Sequence, residues 1–217
     1  MKSKKVWHVI AVVELIIMIL AVYFDVFMPT IIIIGIGLFF LLLRKEKLPF
    51  HRLGKGTRLI KVILSIFGLS VMWSAFNFGL FLPVLNHLTG EKRDVSTFEN
   101  LKGNLGLLLF FIIASWTLAA IGEELAYRGF VQNRIMSLFS NEALGMITAV
   151  AISSILFSIA HTEQGLIGII ITSTDAIFFS IIKIKYKNLW ASVLAHGFMN
   201  TIGVVTFYFT GPVYGLW

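Results

Sequence analysis

Carboxylate, imidazole and carboxamide side chains occur in three separate segments of this 217-residue protein, each inside or at the end of an apolar stretch. A carboxylate can take a proton from water, and imidazole and amide N–H groups can stabilise the oxyanion that forms when water attacks a carbonyl. Together these side chains could activate a water molecule and stabilise an oxyanion. The residues concerned are Glu123, Glu124, Arg128, His161, His196 and Asn200.

The two adjacent acids of the first segment must have different partners. Successive residues of a helix point in different directions, so Glu123 and Glu124 cannot share one neighbour. Glu124 and Arg128 are four residues apart with the acid first, which is the favourable order for an ion pair on one helical face. Glu123 is then free to face another group. The alternative is an interfacial charge cluster that only ends the helix.

The other polar positions each have a second interpretation. His196 and Asn200 lie on one helical face by their spacing, yet such a pair also holds membrane helices together. A lone histidine at the position of His161 is often only interfacial. Glu14 and Asp175 are further acids within apolar stretches. A transport function would use them, but helix packing against Ser and Thr partners is the more common role of such residues and is the one predicted here.

The composition indicates that the protein lies in a lipid bilayer. Hydrophobic residues make up 58% and charged residues 13%, and the mean hydropathy is +0.90. Such values predict an all-α, polytopic transmembrane bundle of about seven spans, within a range of six to eight. There is no cysteine, which excludes disulfides and cysteine nucleophiles. The predicted spans are residues 6–24, 26–43, 59–80, 105–122, 143–160, 166–182 and 189–209.

The basic residues predict the orientation. With the N-terminus in the cytoplasm, all of the 18 basic residues except Lys92, Arg93 and Lys102 lie on the inner side. The net charge of +7 is therefore explained by topology, and no nucleic-acid partner is expected. We expect a multi-pass protein of a bacterial cytoplasmic membrane, with membrane helices and a polar loop in residues 1–104 and a catalytic helical core in residues 105–217.

A helical hairpin would bring two of the candidate residues to one level. If the fourth helix continues past Glu123 to Met136 and turns near residues 140–141, the next helix returns antiparallel to His161. Both side chains then lie roughly 27 to 30 Å from the turn. A helix break near Gly165 would line a water-filled cavity, where irregular backbone is tolerated at membrane depth.

The three segments together resemble one known family. The patterns Glu-Glu-x-x-x-Arg-Gly, Phe-x-x-x-His and His-x-x-x-Asn stand here at residues 123–129, 157–161 and 196–200, in that order. They resemble the CAAX-protease and bacteriocin-processing family, which contains type II CAAX prenyl endopeptidases and bacterial bacteriocin-processing or immunity proteins. The resemblance extends from about Leu105 onward, and every defining position is present.

The resemblance implies an intramembrane endopeptidase. Glu123 would act as general base on a water that His161 helps to hold and polarise. His196 and Asn200 would donate hydrogen bonds to the oxyanion. The substrate would be a membrane-associated or lipidated polypeptide within the bilayer. The alternative function is a non-catalytic membrane immunity or scaffold protein, or a small proton-coupled transporter.

Two further expectations concern the surroundings of the base. Glu124 and Arg128 would fix the helix and hold Glu123 in place. No cofactor is expected, but Glu123, His161 and His196 also form the two-histidine, one-carboxylate set that binds catalytic zinc. None of them lies in a local zinc motif such as His-Glu-x-x-His, so spacing does not decide between the two mechanisms.

Overall fold

The computed structural model describes residues 4–24, 28–51 and 53–215. Its regular structure is entirely helical in these ranges, which confirms the predicted all-α class. The α-helices are α1 (Lys4–Tyr23), α2 (Pro29–Arg44), α3 (Gly56–Phe76), α4 (Leu82–Thr89), α5 (Leu105–Ala114), α6 (Gln132–Met136), α7 (Glu142–Ile159), α8 (Gly165–Tyr186) and α9 (Leu189–Thr210).

The prediction of about seven spans is confirmed. Within the described ranges, six helical stretches are long and apolar enough to cross a bilayer, and α2 is a shorter apolar helix. Two stretches run further than predicted: Gly56–Thr89 has 34 residues and Leu105–Met136 has 32. Hydropathy ended the second one too early, because the charged residues after Gly122 lie within the helix.

Asparagine side chains set the start of the three helices that lead into the candidate segments. The side-chain oxygens of Asn104, Asn141 and Asn188 accept hydrogen bonds from backbone N–H groups in the first turns of α5, α7 and α9. Such caps satisfy donors that a helix leaves unpaired at its N-terminus. The cap at Asn141 also confirms the predicted hairpin, since α6 ends at Met136 and α7 begins at Glu142.

A long π-helix, Ser115–Val131, joins α5 to α6 and carries the first candidate segment. π-helical turns are rare and are frequently found at functional sites. This π-helix packs against α2, α5, α7 and α9, and α9 in turn packs against α3 and α8. The N-terminal helices α2 and α3 therefore enclose the elements that hold the candidate residues.

Two glycines allow the long π-helix to lie close to its neighbours. A Cβ atom at Gly37 of α2 would overlap the ring of Phe130. A Cβ atom at Gly129 would lie 3.1 Å from Pro49 and 3.3 Å from Leu189. The glycine that ends the first pattern therefore has a packing role.

Glu14 belongs to an ion cluster that joins α1, α2 and α6. Its side chain is fully buried, with one carboxylate oxygen 2.5 Å from Arg44 Nη1 and 2.8 Å from Arg134 Nε. Arg134 also reaches Glu46 at 3.3 Å. The predicted packing of Glu14 against Ser or Thr is wrong, because arginines distant in sequence supply its partners.

Candidate active site

One cavity of about 710 Å³ collects the four residues predicted to be catalytic. Glu123, His161, His196 and Asn200 all line it, although they come from the long π-helix, the end of α7 and α9. The structure thus brings the three segments to one place. The individual catalytic roles stay predictions.

His196 lies between the two adjacent acids. Its Nδ1 is 3.1 Å from Oε1 of Glu124, and its Nε2 is 3.9 Å from Oε2 of Glu123. An ionised carboxylate only accepts hydrogen bonds, so Nδ1 carries a proton and donates to Glu124. The imidazole also stacks on Phe179 with ring centroids 4.5 Å apart. These contacts fix the ring with Nε2 towards Glu123.

Glu124 forms the ion pair that its spacing from Arg128 predicts. Oε1 of Glu124 is 2.9 Å from Nη1 of Arg128, and both side chains are fully buried. The guanidinium lies over the rings of Phe157 and Phe179, and its Nη2 donates to the carbonyl of Ala176 at 2.9 Å. Arg128, which the topology prediction treated as a loop residue, is thus part of the protein core.

Glu123 has a different environment from its neighbour. Its side chain is 19% exposed, and it faces the cavity. Among the described residues, no lysine or arginine lies within ion-pair distance of Glu123. The predicted division of the two acids, one paired and one free to face another group, is present.

His161 follows the end of α7 and is held by the preceding turn. Its Nδ1 is 2.8 Å from the carbonyl oxygen of Phe157, which can only accept, so Nδ1 is the donor. The Phe157 ring packs against both imidazoles, with centroids 4.6 Å from His161 and 6.1 Å from His196. No hydrogen bond joins His161 directly to Glu123 in the described structure. Phe157 and the shared cavity are what connect them.

The glycine between His196 and Asn200 lets α9 approach the long π-helix. A Cβ atom at Gly197 would lie 2.6 Å from atoms of the Trp116 ring. Trp116 also donates from Nε1 to the hydroxyl of Thr201 at 3.0 Å. This contact fixes the rotation of α9 that turns His196 and Asn200 towards the cavity.

Asp175 also lines the cavity, with partners that the sequence interpretation missed. Its Oδ1 accepts from Trp73 Nε1 at 2.7 Å and from Asn77 Nδ2 at 2.9 Å, not from the predicted Ser or Thr side chains. A signal was present at the C-terminal end of α3 and directly after it, because Ser70, Ser74 and Asn77 recur at helical spacing and are all buried. Such a polar stripe on an apolar helix indicates a polar neighbour.

Arg93 is a second cavity residue that sequence interpretation assigned elsewhere. The topology prediction treated it as an outward loop charge, but its side chain lines the cavity. Its Nε and Nη2 both donate to Oε1 of Gln164, at 2.8 and 2.5 Å. Gln164 lies immediately before Gly165, which has a φ of +73° and breaks the helical path between α7 and α8 as predicted.

The possible zinc ligands do not form a set. Among the described residues, no three His, Cys, Asp or Glu side chains are grouped so that they could hold one metal ion. Glu123, His161 and His196 share a cavity, and Nδ1 of each ring is engaged, that of His196 by Glu124 and that of His161 by a carbonyl. This leaves Nε2 of both rings open, as in histidines that ligate a metal, so these contacts do not decide between the two mechanisms. The expectation that no cofactor is used stays a prediction.

Comparison with known proteins gives one match. Residues 105–202 match the family model described as type II CAAX prenyl endopeptidase Rce1-like. The search of curated proteins and the search of solved structures found no match. The matched range begins where the sequence resemblance begins, and it includes all three candidate segments. Together with the helices of membrane-spanning length, it shows an integral, multi-pass membrane protein.

Proposed function

Residues 105–202 match the Rce1-like type II CAAX prenyl endopeptidase family, and on this premise we propose that the protein is an intramembrane endopeptidase with a glutamate-dependent mechanism. It hydrolyses a peptide bond in a membrane-associated or lipidated polypeptide. The observation that carries the proposal is the position of Glu123, a carboxylate without a lysine or arginine partner at the wall of the cavity that His161, His196 and Asn200 also line.

The first step is the attack of water on the peptide carbonyl. Glu123 takes a proton from the water as its oxygen bonds to the carbonyl carbon, and the carbonyl oxygen becomes an oxyanion. His161 keeps Nε2 as its acceptor, since Nδ1 donates to Phe157, and this nitrogen holds the second water proton. The water is thereby both oriented and polarised.

The oxyanion is stabilised from α9. Asn200 donates from its amide nitrogen, and His196 donates from Nε2. Because Nδ1 of His196 is already engaged with Glu124, donation from Nε2 requires the doubly protonated ring. In the second step the C–N bond breaks, and the proton on Glu123 passes to the leaving nitrogen. The products are an amine and a carboxylic acid that still carries the second water proton; loss of this proton to the amine gives a carboxylate and an ammonium group, and Glu123 is ionised again.

No metal takes part in this proposal. The proposed orientation is the one predicted from the basic residues: the protein spans a bacterial cytoplasmic membrane, with its N-terminus on the cytoplasmic side. The cavity then extends towards the outer end of the bundle, because Arg93 and Gln164 line it and follow the outer ends of α4 and α7. A peptide can reach Glu123 from that side.

Comparison of membrane proteomes tests the proposal. Peptide termini would be profiled in cells that carry the native protein, Glu123→Gln or Glu99→Gln at equal levels. Glu99 is an exposed loop glutamate outside the cavity, so its variant controls for loss of one carboxylate. We expect a set of termini that is present with the native and Glu99→Gln proteins and is uncleaved with Glu123→Gln. Identical termini in all three would contradict the proposal.

The same cells distinguish the alternative functions. A scaffold or immunity protein would keep its phenotype in Glu123→Gln, because binding surfaces do not need a general base. A proton-coupled transporter would lose its function in Asp175→Asn, an acid that the proposed mechanism does not use. A peptidase would only be weakened by that change.

A further inference from the structure

Arg93 brings a positive charge from the loop between α4 and α5 into the cavity of Glu123. Its guanidinium donates twice to Oε1 of Gln164, while Nε2 of Gln164 donates to Glu163 at 3.0 Å and so fixes the amide orientation. The backbone N–H of Asp94 donates to the Gln164 carbonyl at 3.0 Å. Gln164, between α7 and α8, therefore holds both the Arg93 side chain and the backbone of its loop.

The guanidinium of Arg93 is hydrogen-bonded to a neutral group, the side-chain amide of Gln164. In the part of the sequence that the structure describes, no carboxylate lies within ion-pair distance of Arg93. Burial lowers the pKa of Arg93, and the more distant carboxylates of Asp175 and Glu163 counteract this effect. Oδ1 of Asp175 is already engaged by Trp73 and Asn77. A guanidinium remains charged in proteins, so one placed here favours an anionic ligand.

We propose that Arg93 binds a carboxylate of the polypeptide substrate inside the cavity. The inference rests on the proposed peptidase function and specifies its substrate. A planar guanidinium presents N–H donors in a fork that matches the two oxygens of a carboxylate. The carboxylate is either the C-terminal group of the substrate or an acidic side chain near the scissile bond. Anchoring it at Arg93 selects which peptide bond reaches Glu123.

Binding of two matched peptides tests this inference. The probes are an S-farnesylated Cys-a-a-X peptide with a free C-terminal carboxylate and the same peptide as a C-terminal amide. Binding is measured by fluorescence anisotropy to the full-length protein in nanodiscs, with Glu123→Gln as the parent so that no cleavage occurs. We expect the acid to bind about tenfold to one hundredfold more tightly than the amide, as a charge-assisted hydrogen bond in a buried site allows.

Three further changes are made in this parent. Arg93→Gln should remove the preference for the acid by weakening acid binding alone. Gln164→Glu should also remove it, because the new carboxylate neutralises the guanidinium while keeping the contact that holds the loop. Lys92→Gln is the matched control, since it removes an exposed charge from the same loop without changing the cavity, and it should keep the full preference.

The Gln164→Glu variant distinguishes two roles of Arg93, binding of the substrate carboxylate and attachment of its loop to Gln164. If Arg93 only fastened the loop to Gln164, this variant would hold the loop at least as firmly and would keep the parent's preference. An amide peptide ending in glutamate identifies the carboxylate source: binding as tight as that of the acid assigns an acidic side chain, and binding as weak as that of the amide assigns the C-terminus.

Equal affinity of the acid, the amide and the glutamate amide for the parent would overturn the proposal, as would a preference for a carboxylate that survives both Arg93→Gln and Gln164→Glu. Absence of binding by either peptide would overturn it too. None of these results decides the peptidase function, which terminus profiling tests independently. A profile that depends on Glu123 together with equal binding of all three peptides would leave an endopeptidase without a carboxylate site.

Discussion

Glu14 and Glu123 are both carboxylates on apolar helices, but their surroundings differ. Glu14 is fully buried and contacts Arg44 and Arg134 at 2.5 and 2.8 Å. Glu123 is 19% exposed towards a cavity, and its near neighbour is the imidazole of His196 at 3.9 Å. A buried acid paired with arginines is held in its charged form, and removing one partner is strongly destabilising. An acid that faces a cavity without a lysine or arginine partner can instead exchange a proton with water.

The difference shows that membrane depth alone does not identify a reactive acid. Glu124 makes the same point one residue away, because it is fully buried and engaged by both Arg128 and His196. Its charge is used to hold the ring that faces Glu123. The number of charged partners, rather than the position in an apolar stretch, distinguishes Glu14 and Glu124 from Glu123.

The largest effect is expected from Glu124→Gln. The change leaves the buried guanidinium of Arg128 without its counter-charge, which should cost about 3 to 5 kcal/mol in the free energy of unfolding. Replacing Arg128 by Met in the same protein should recover most of this stability but not the cleavage rate, because His196 still lacks its carboxylate acceptor. Denaturant unfolding and single-turnover cleavage measure the two quantities. If the added Arg128→Met change restored both the stability and the cleavage rate, Glu124 would have only a structural role, like Glu14.

A smaller effect is expected from Asn200→Ala. Loss of one oxyanion donor should lower the cleavage rate by about two to three orders of magnitude. Stability should be nearly unchanged, because the side chain lies at the cavity wall and is only partly buried. Cleavage of the substrate identified by terminus profiling is the measurement. A native rate would remove Asn200 from the reactive region.

The smallest effect is expected from Gly197→Ala. The added methyl group overlaps Trp116, so α9 must shift, at a cost of about 1 to 3 kcal/mol in unfolding free energy. Gly203 lies on the same helix with no atom within 4 Å of an added Cβ, and Gly203→Ala is therefore the matched control. Equal unfolding temperatures for both variants would show that the Trp116 contact does not position α9.

Local patterns predicted much of this molecule. Hydropathy identified the helices, the four-residue spacing identified the pair of Glu124 with Arg128, and hairpin lengths placed Glu123 and His161 at one level. Each of these depends on residues close in sequence or on the regular rise of a helix. The family match over residues 105–202 confirms the resemblance that the three patterns carry.

Contacts between distant segments could not be predicted in the same way. Glu14 reaches arginines on two other helices, and Arg93 folds back from its loop onto Gln164. The polar groups themselves were visible in the sequence, but their partners depend on how the helices rotate and pack. The long π-helix was also not predicted, because hydropathy does not distinguish it from an α-helix.

A direct comparison of Glu123→Gln with Glu14→Gln tests the central claim. Cleavage rate per folded molecule and unfolding temperature would be measured for both proteins on the same substrate. We predict that Glu123→Gln loses about two to four orders of magnitude in rate and keeps the native unfolding temperature. Glu14→Gln should unfold at a lower temperature while its folded fraction cleaves at the native rate. A folded Glu123→Gln protein that cleaves at the native rate would contradict the account.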